Sequence, residues 1–395
     1  MESEIRLIFR NKDAEALNEN PFSVENAASV RAFHETFPGY SPTPLCELKA
    51  LSAHYGVSGI YVKDESRRFD LNAFKALGGS YAIGRWIAQR LGIKPEDMTY
   101  DLLTSAETHA ALGEITFATA TDGNHGRGVA WTANRLGQRC YVRLPKGTAA
   151  ERLENIRKLG ADAEITEVNY DETVRFVRQK AEENGWVIVQ DTAWEGYTEI
   201  PQWIMRGYTT IGSEILRQLD VIKPTHLFLQ AGVGAAAGAL AGFFSDAYRD
   251  DPPLIGIVEP HAANCVFSTA EANDGRLHSV TGDLNTIMAG LACGEVCPPA
   301  WEILRRKADC FASIPDSVAA KGMRTLGNPL VGDPRIISGE SGASASGFVF
   351  TALEDQELRE RLRITKDSRI LCVSTEGDTD RENYRRVVWD GAYSE

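Results

Sequence analysis

Residues 115–144 read ITFATATDGNHGRGVAWTANRLGQRCYVRL. The opening residues, 115–120, are aromatic, β-branched or small, as a buried strand requires. A glycine-containing turn follows, then a run of helical periodicity over 126–136, then a second β-rich run at 139–144. Strand, helix and strand in so short a span make a βαβ unit, whose two strands must lie parallel. The alternation continues outward. A helix at 149–159 stops at Gly160, and a strand follows at 163–167. A helix at 171–184 stops at Gly185, and a strand follows at 186–190. A second series has a strand at 225–230, a helix at 235–247, a strand at 254–258 and a fully buried run at 369–373. The pattern predicts an α/β protein of two doubly wound, mostly parallel sheet domains with a ligand cleft between them. The expected division is 1–84 with 200–395 as the larger domain, and 85–199 as the smaller.

In open α/β sheets, ligands bind just beyond the carboxyl ends of the strands. Asp122, Asp191, Gly232, Glu259 and Ser374 all fall at such positions here. Lys75, in NAFKALGGS (72–80), has apolar neighbours and two following glycines. Desolvation would disfavour its ammonium form and leave a free amine able to form a Schiff base with an aldehyde. Gln230-Ala231-Gly232-Val233-Gly234-Ala235 follows one strand and opens a helix, where backbone N–H groups can hold a phosphate. The same loop fits a dinucleotide fingerprint through Gly232, Gly234 and Ala237, with Glu259 as the ribose-binding acid. It also fits a plain tight turn. A dinucleotide gives Lys75 no task, whereas a small phosphorylated aldehyde accounts for both loop and lysine.

Composition narrows the class. The chain has 395 residues, of which 43% are hydrophobic and 25% charged, enough for about two or three soluble domains with a substantial core. A net charge of −13 disfavours nucleic acid and anionic membrane surfaces as partners. The seven cysteines (46, 140, 265, 293, 297, 310 and 372) are odd in number and include no CxxC. No zinc or other metal site is expected, and reduced thiols suit a cytoplasmic protein. The opening residues MESEIR do not read as a signal peptide. The uncharged stretch 227–245 reads as strand, turn and helix rather than a membrane span.

The residues quoted so far resemble the fold-type II pyridoxal-phosphate enzymes, and within that group the diaminopropionate ammonia-lyases. The resemblance is carried by NAFKALGG (72–79), FATATDGNHGRGVAW (117–131), VQDTAWEGY (189–197), QAGVG (230–234), IMAGLACGE (287–295) and IISGESG (336–342). It extends over nearly all of the chain after residue 60. It implies pyridoxal 5'-phosphate as cofactor, with Lys75 as the Schiff-base lysine and Asn124 on the phenolic oxygen. It places the phosphate on the N–H groups of Gly232, Val233, Gly234 and Ala235. Ser374 or Thr375 would meet the pyridine nitrogen, and a hydroxyl there suits elimination more than transamination. Thr121, His125 and Ser341 would contact substrate, and a homodimer is the usual assembly.

The wider group usually carries a small residue, often serine, immediately before Gly-Asn-His; this chain has Asp122. A carboxylate beside the cofactor needs a charge to meet or a proton to move, and a β-amino substrate supplies that charge. A helix cap is the simpler role for Asp122, and turn chemistry the simpler role for Asp191. The resemblance implies Cα proton abstraction by Asp191 for the L form and Asp122 for the D form, giving pyruvate and ammonia. The competing functions are a serine or threonine dehydratase of the same fold, a nicotinamide-dependent oxidoreductase, and a non-catalytic ligand-binding protein. Glu340 is as readily structural as functional, and His54, His109 and His226 have no partner nameable from sequence.

Overall fold

A computed structural model describes residues 4–13 and 20–394; the expectation about a leader rests partly on residues 1–3, outside that range. The chain forms two compact units. The first comprises Met1–Val24, Pro42–Asn72 and Ile211–Glu395, the second Glu25–Ser41 and Ala73–Thr210. Eleven strands occur among the described residues: β1 (Arg6–Phe9), β2 (Leu45–Glu47), β3 (Gly59–Asp64), β4 (Thr116–Ala120), β5 (Arg139–Leu144), β6 (Asp162–Ile165), β7 (Val187–Ile188), β8 (His226–Gln230), β9 (Leu254–Pro260), β10 (Cys310–Ile314) and β11 (Arg369–Ser374).

The first unit holds a seven-stranded sheet in the order β1-β10-β9-β8-β11-β3-β2. Its inner pairings are parallel, and only the two edge strands run antiparallel to their neighbours. The inner strands are buried along nearly their whole length, because helices cover both faces of a parallel sheet. Phe228, Phe348, Phe350, Ile370, Val62 and Cys372 lie in its core. The second unit holds a four-stranded, fully parallel sheet in the order β6-β5-β4-β7. Val177 and Ala181, from the helix Tyr170–Asn184, pack on one face of it against Ala118, Ala120 and Tyr141.

The boundary differs from the expected one. Residues 73–84 and 200–210 belong to the second unit, joined by 25–41. The reason is close helix packing. The helix Ala76–Leu91 lies against Asn124–Arg135, and a Cβ at Gly128 would come within 2.8 Å of the Ala76 nitrogen. His34 ties 25–41 to the same helix through the Leu77 carbonyl and the Ser80 hydroxyl. Among the described residues no helix is long and apolar enough to cross a membrane. All seven cysteines are free.

Candidate active site

Lys75 stands immediately before the helix Ala76–Leu91, and the segment that leads to it is tightly held. Phe69, Asp70 and Asn72 have left-handed φ values of 50°, 58° and 56°, costing of order 1 kcal/mol each for residues with a Cβ. Arg68 compensates from inside the first unit. It is 1% exposed and donates to both carboxylate oxygens of Glu65 and of Glu214 at 2.7–2.9 Å. Asn72 accepts from the Gly377 N–H at 3.0 Å and donates to Asp378 at 2.9 Å.

In the second unit, Lys75 Nζ donates to Asp191 Oδ2 at 2.6 Å. The rings of Phe74 and Tyr208 lie 5.5 and 5.9 Å from the ammonium. Burial alone would lower the lysine, but the Asp191 carboxylate, with Tyr208 and Asp122, outweighs it and holds Lys75 above the ordinary lysine range. This corrects the expectation of a free amine: desolvation is present, and an ion pair overrides it. Burial would likewise raise Asp191; an imidazolium at His125 and the ammonium of Lys75 would both pull it down, and with the imidazole neutral it is Lys75 that keeps it below the ordinary carboxylate range.

His125 is buried, with Nε2 at 2.7 Å from the Val189 carbonyl. That geometry puts the proton on Nε2 and leaves a lone pair on Nδ1, 3.8 Å from Asp191 Oδ2. Burial pushes His125 below its ordinary range, so the ring is neutral. Its Nδ1 accepts no hydrogen bond among the described residues. Asp191, expected just past a strand at 186–190, follows a strand that ends at Ile188, on a loop whose backbone is held by side chains.

Asp122 follows β4 with its side chain 32% exposed, and its Oδ2 is 3.9 Å from Arg152 Nη1. Arg152 also donates to the Asp122 carbonyl at 3.1 Å. The helix begins at Asn124 with Gly123 as its cap, and no side chain caps it there. Thr121 satisfies that end instead, accepting the N–H groups of Gly123 and Gly126 at 2.9 Å each. Thr121, expected against substrate, is therefore a buried helix-start residue. Asn124, the first helical residue, is half-buried.

In the first unit, the loop after β8 carries Gly232, Val233 and Gly234 into the helix Ala235–Ala247. Gly234 has φ +92°, and a Cβ at Gly232 would lie 3.1 Å from Cys293 Sγ. The first N–H groups of such a helix have no partner within it and point at whatever lies before it. Gln230 Nε2 donates to the Val373 carbonyl at 2.9 Å and to Thr375 Oγ1 at 2.8 Å. Gln230 Oε1 is buried and accepts no hydrogen bond among the described residues. Ser374 is the last residue of β11 rather than past its end. It is fully buried, and its hydroxyl donates to Ser338 Oγ at 2.7 Å. Thr375 is half-buried, and its hydroxyl oxygen, which accepts from Gln230, keeps its own proton to donate elsewhere.

Three other candidates have structural partners. Ser341 Oγ accepts the Gly290 N–H at 3.0 Å and is buried, rather than open toward substrate. Glu340 accepts from Asn383. Glu259 lies inside β9, not past it, and caps the helix Cys265–Ala272 by accepting from the Val266 and Phe267 N–H groups. That removes the acid expected for a ribose, so the dinucleotide reading of the loop loses its second support. Sequence reasoning also passed over Arg68, Tyr197, Tyr208 and Gln230. Only the placing of Gln230 at a strand end and of Tyr197 within VQDTAWEGY offered a signal.

The residues present fit a phosphorylated pyridine aldehyde. In the second unit a lysine is oriented by a carboxylate, as a Schiff-base lysine requires, and in the first a glycine loop opens a helix whose leading N–H groups suit a phosphate. Comparison with known proteins agrees. The family model described as "Pyridoxal-phosphate dependent enzyme" matches residues 36–376. Diaminopropionate ammonia-lyase of Escherichia coli strain K12 is 50% identical over 379 residues, covering 94% of each chain. The structure of diaminopropionate ammonia-lyase from Escherichia coli in complex with D-serine aligns with a TM-score of 0.92 at 46% identity, over 99% of this chain and 98% of that one. The same enzyme with an aminoacrylate-PLP azomethine reaction intermediate gives 0.91 at 46% identity, with the same coverage. The chain belongs to the pyridoxal-phosphate dependent enzymes and, within them, to the diaminopropionate ammonia-lyase family.

Proposed function

We propose that this ammonia-lyase acts on both enantiomers of 2,3-diaminopropionate, converting them to pyruvate and ammonia by α,β-elimination. Bound pyridoxal phosphate supplies an aldehyde for an amine and an electron sink that lets a proton leave Cα. Lys75 would hold that aldehyde, and the N–H groups of Gly232, Val233, Gly234 and Ala235 would hold the phosphate. Asn124 would meet the phenolic oxygen and Thr375, or Ser374, the ring nitrogen. The observation that carries the reading is the Lys75–Asp191 contact of 2.6 Å beside a neutral histidine. While Lys75 is charged, Asp191 is a very weak base. Once Lys75 gives up its charge, Asp191 loses a principal partner, and its basicity rises where a Cα proton must be taken.

Asp191 would take that proton from the L form and Asp122 from the D form. Arg152, bonded to the Asp122 carbonyl and 3.9 Å from its Oδ2, holds Asp122 in place. The β-amine leaves as ammonia after receiving a proton, from Lys75 or from the carboxylate that took the first one. The remaining three-carbon enamine hydrolyses in water to pyruvate and a second ammonia. His125 Nδ1 is placed to accept from a substrate ammonium. The family resemblance further supports a cytoplasmic homodimer, which sedimentation of the purified protein would test.

The deciding experiment is pyruvate production from the separate enantiomers by Asp122→Asn and Asp191→Asn. Each variant should lose one enantiomer by at least about 100-fold and largely keep the other. Equal losses on both would refute the two-base assignment and leave the cofactor and the elimination standing.

A further inference from the structure

β7 is only two residues long and is the outer strand of its sheet. The residues after it, through Asp191, therefore lack a continuing ladder to hold them straight. On the inner side, the Val189 N–H reaches the Ala118 carbonyl at 2.9 Å, and the Val189 carbonyl receives His125 Nε2 at 2.7 Å. On the outer side, the Ile188 carbonyl and the Gln190 N–H face away from the sheet, where another strand would normally pair. One hydroxyl takes both. Tyr197 OH donates to the Ile188 carbonyl at 3.0 Å and accepts from the Gln190 N–H at 2.8 Å.

The tyrosine is itself braced. Tyr197 and Trp194 exchange backbone hydrogen bonds at 2.9 and 3.2 Å, and their rings stack with centroids 4.2 Å apart. The Gln190 side chain fixes the inner side further. It accepts from Thr119 Oγ1 and the Ala120 N–H at 3.0 Å each and donates to Tyr170 OH at 2.9 Å.

We infer that Tyr197 is a positioning residue for Asp191: its hydroxyl stands in for a missing strand and fixes the backbone from which the carboxylate reaches Lys75. The inference rests on the proposed role of Asp191 toward the L substrate. Loss of the hydroxyl would free the Ile188 carbonyl and the Gln190 N–H together. The 2.6 Å contact would then drift on the residue adjacent to the freed amide, and misplacement by about 1 Å is enough for a loss near 100-fold.

The test compares Tyr197→Phe with Asp191→Asn in the holoenzyme. Phenylalanine keeps the ring stack and removes only the hydroxyl. Three quantities are measured: kcat and KM for each enantiomer, the pH profile of kcat on the L form, and amide exchange at Gln190 and Val189. Tyr197→Phe should lower kcat on the L form about 10- to 100-fold and on the D form by less than about threefold. The pH profile should shift, and Gln190 exchange should quicken while Val189 stays slow. Trp194→Phe, which retains the hydroxyl, should stay within about threefold of wild type on both enantiomers. If Asp191→Asn is selective for the L form but Tyr197→Phe slows both enantiomers alike with no shift in pH profile, the positioning role is overturned and the base assignment stands. If Asp191→Asn is not selective, the base assignment falls. Unchanged exchange at Gln190 in Tyr197→Phe would overturn the positioning role in either case.

Discussion

Gly128→Ala tests how rigidly the reactive lysine is held. The perturbation adds one methyl group to a helix facing the start of another. That methyl would lie 2.8 Å from the Ala76 nitrogen, 2.9 Å from the Ala76 Cα and 2.9 Å from the Lys75 carbonyl carbon. All three are backbone atoms, so no side chain can rotate aside. Ordinary contact begins near 3.4 Å, and the two helices must separate by roughly 0.6 Å or more at this point. The Lys75–Asp191 hydrogen bond starts at 2.6 Å; a displacement of that size takes it to the weak end of the usual range. Overpacking of this kind costs about 1–3 kcal/mol in stability. Misplacing a reacting group by nearly 1 Å lowers the rate by about 10- to 100-fold. The assay is pyruvate formation from each enantiomer, read beside the melting temperature and the visible spectrum of the bound cofactor. Both enantiomers should suffer alike, because Lys75 serves both. A variant within about twofold of wild type in kcat and unchanged in melting would refute the rigid contact. A variant that melts earlier but turns over normally would refute the coupling between this packing and Lys75.

Lys75→Ala should abolish turnover and the cofactor's Schiff-base absorbance together, since among the described residues no other amine is braced by Asp191; retained absorbance at the same wavelength would sink the assignment. Thr375→Ala should shift the absorbance of bound cofactor more than Ser374→Ala does, because the Ser374 hydroxyl already donates to Ser338; the reverse order would exchange their roles. Glu259 gives a pH prediction. Burial raises its carboxyl to about 8 from an ordinary 4.5. A raised carboxyl favours the folded state fully below pH 4.5 and loses that advantage as pH rises through 8, by up to about 5 kcal/mol. Melting temperature should therefore fall between about pH 5 and 8 in the wild type and much less in Glu259→Gln; parallel curves would show that Glu259 does not carry the effect.

Much of the architecture was readable because parallel, doubly covered strands leave apolar runs, as in the LFL of β8 and the LIGIV of β9. The strands of the N-terminal part were not. β2 has three residues, too few for any periodicity. β3 ends in Lys63 and Asp64, residue types that usually face water. Both are buried, and Lys63 meets Glu214 at 2.6 Å, 151 residues away, a partner no local window can see. The same distance problem misled the reading of Lys75. Its apolar neighbours were visible, but the carboxylate that keeps it charged is 116 residues on. Thr121 and Ser341 sit in the stretches that carry the family resemblance. Sequence could not tell that their hydroxyls turn to backbone N–H groups. Strand-end position drew attention to Asp122 and Asp191, whereas for Glu259 it misjudged the strand's length by two residues.

The place of β11 sets the order in which this chain can be made. Residues 369–374 form a central strand, hydrogen-bonded between β8 and β3. β3 is synthesised early and must wait, one flank unpaired, until almost all of the chain has left the ribosome. The second unit faces no such delay, since 73–210 is continuous and supplies all four of its strands. Sheets closed by distant segments form slowly and expose sticky edges meanwhile. A chain stopped before residue 369 would thus lose the seam of the larger sheet rather than a fringe, and would be a substrate for chaperones and proteases instead of a weaker enzyme.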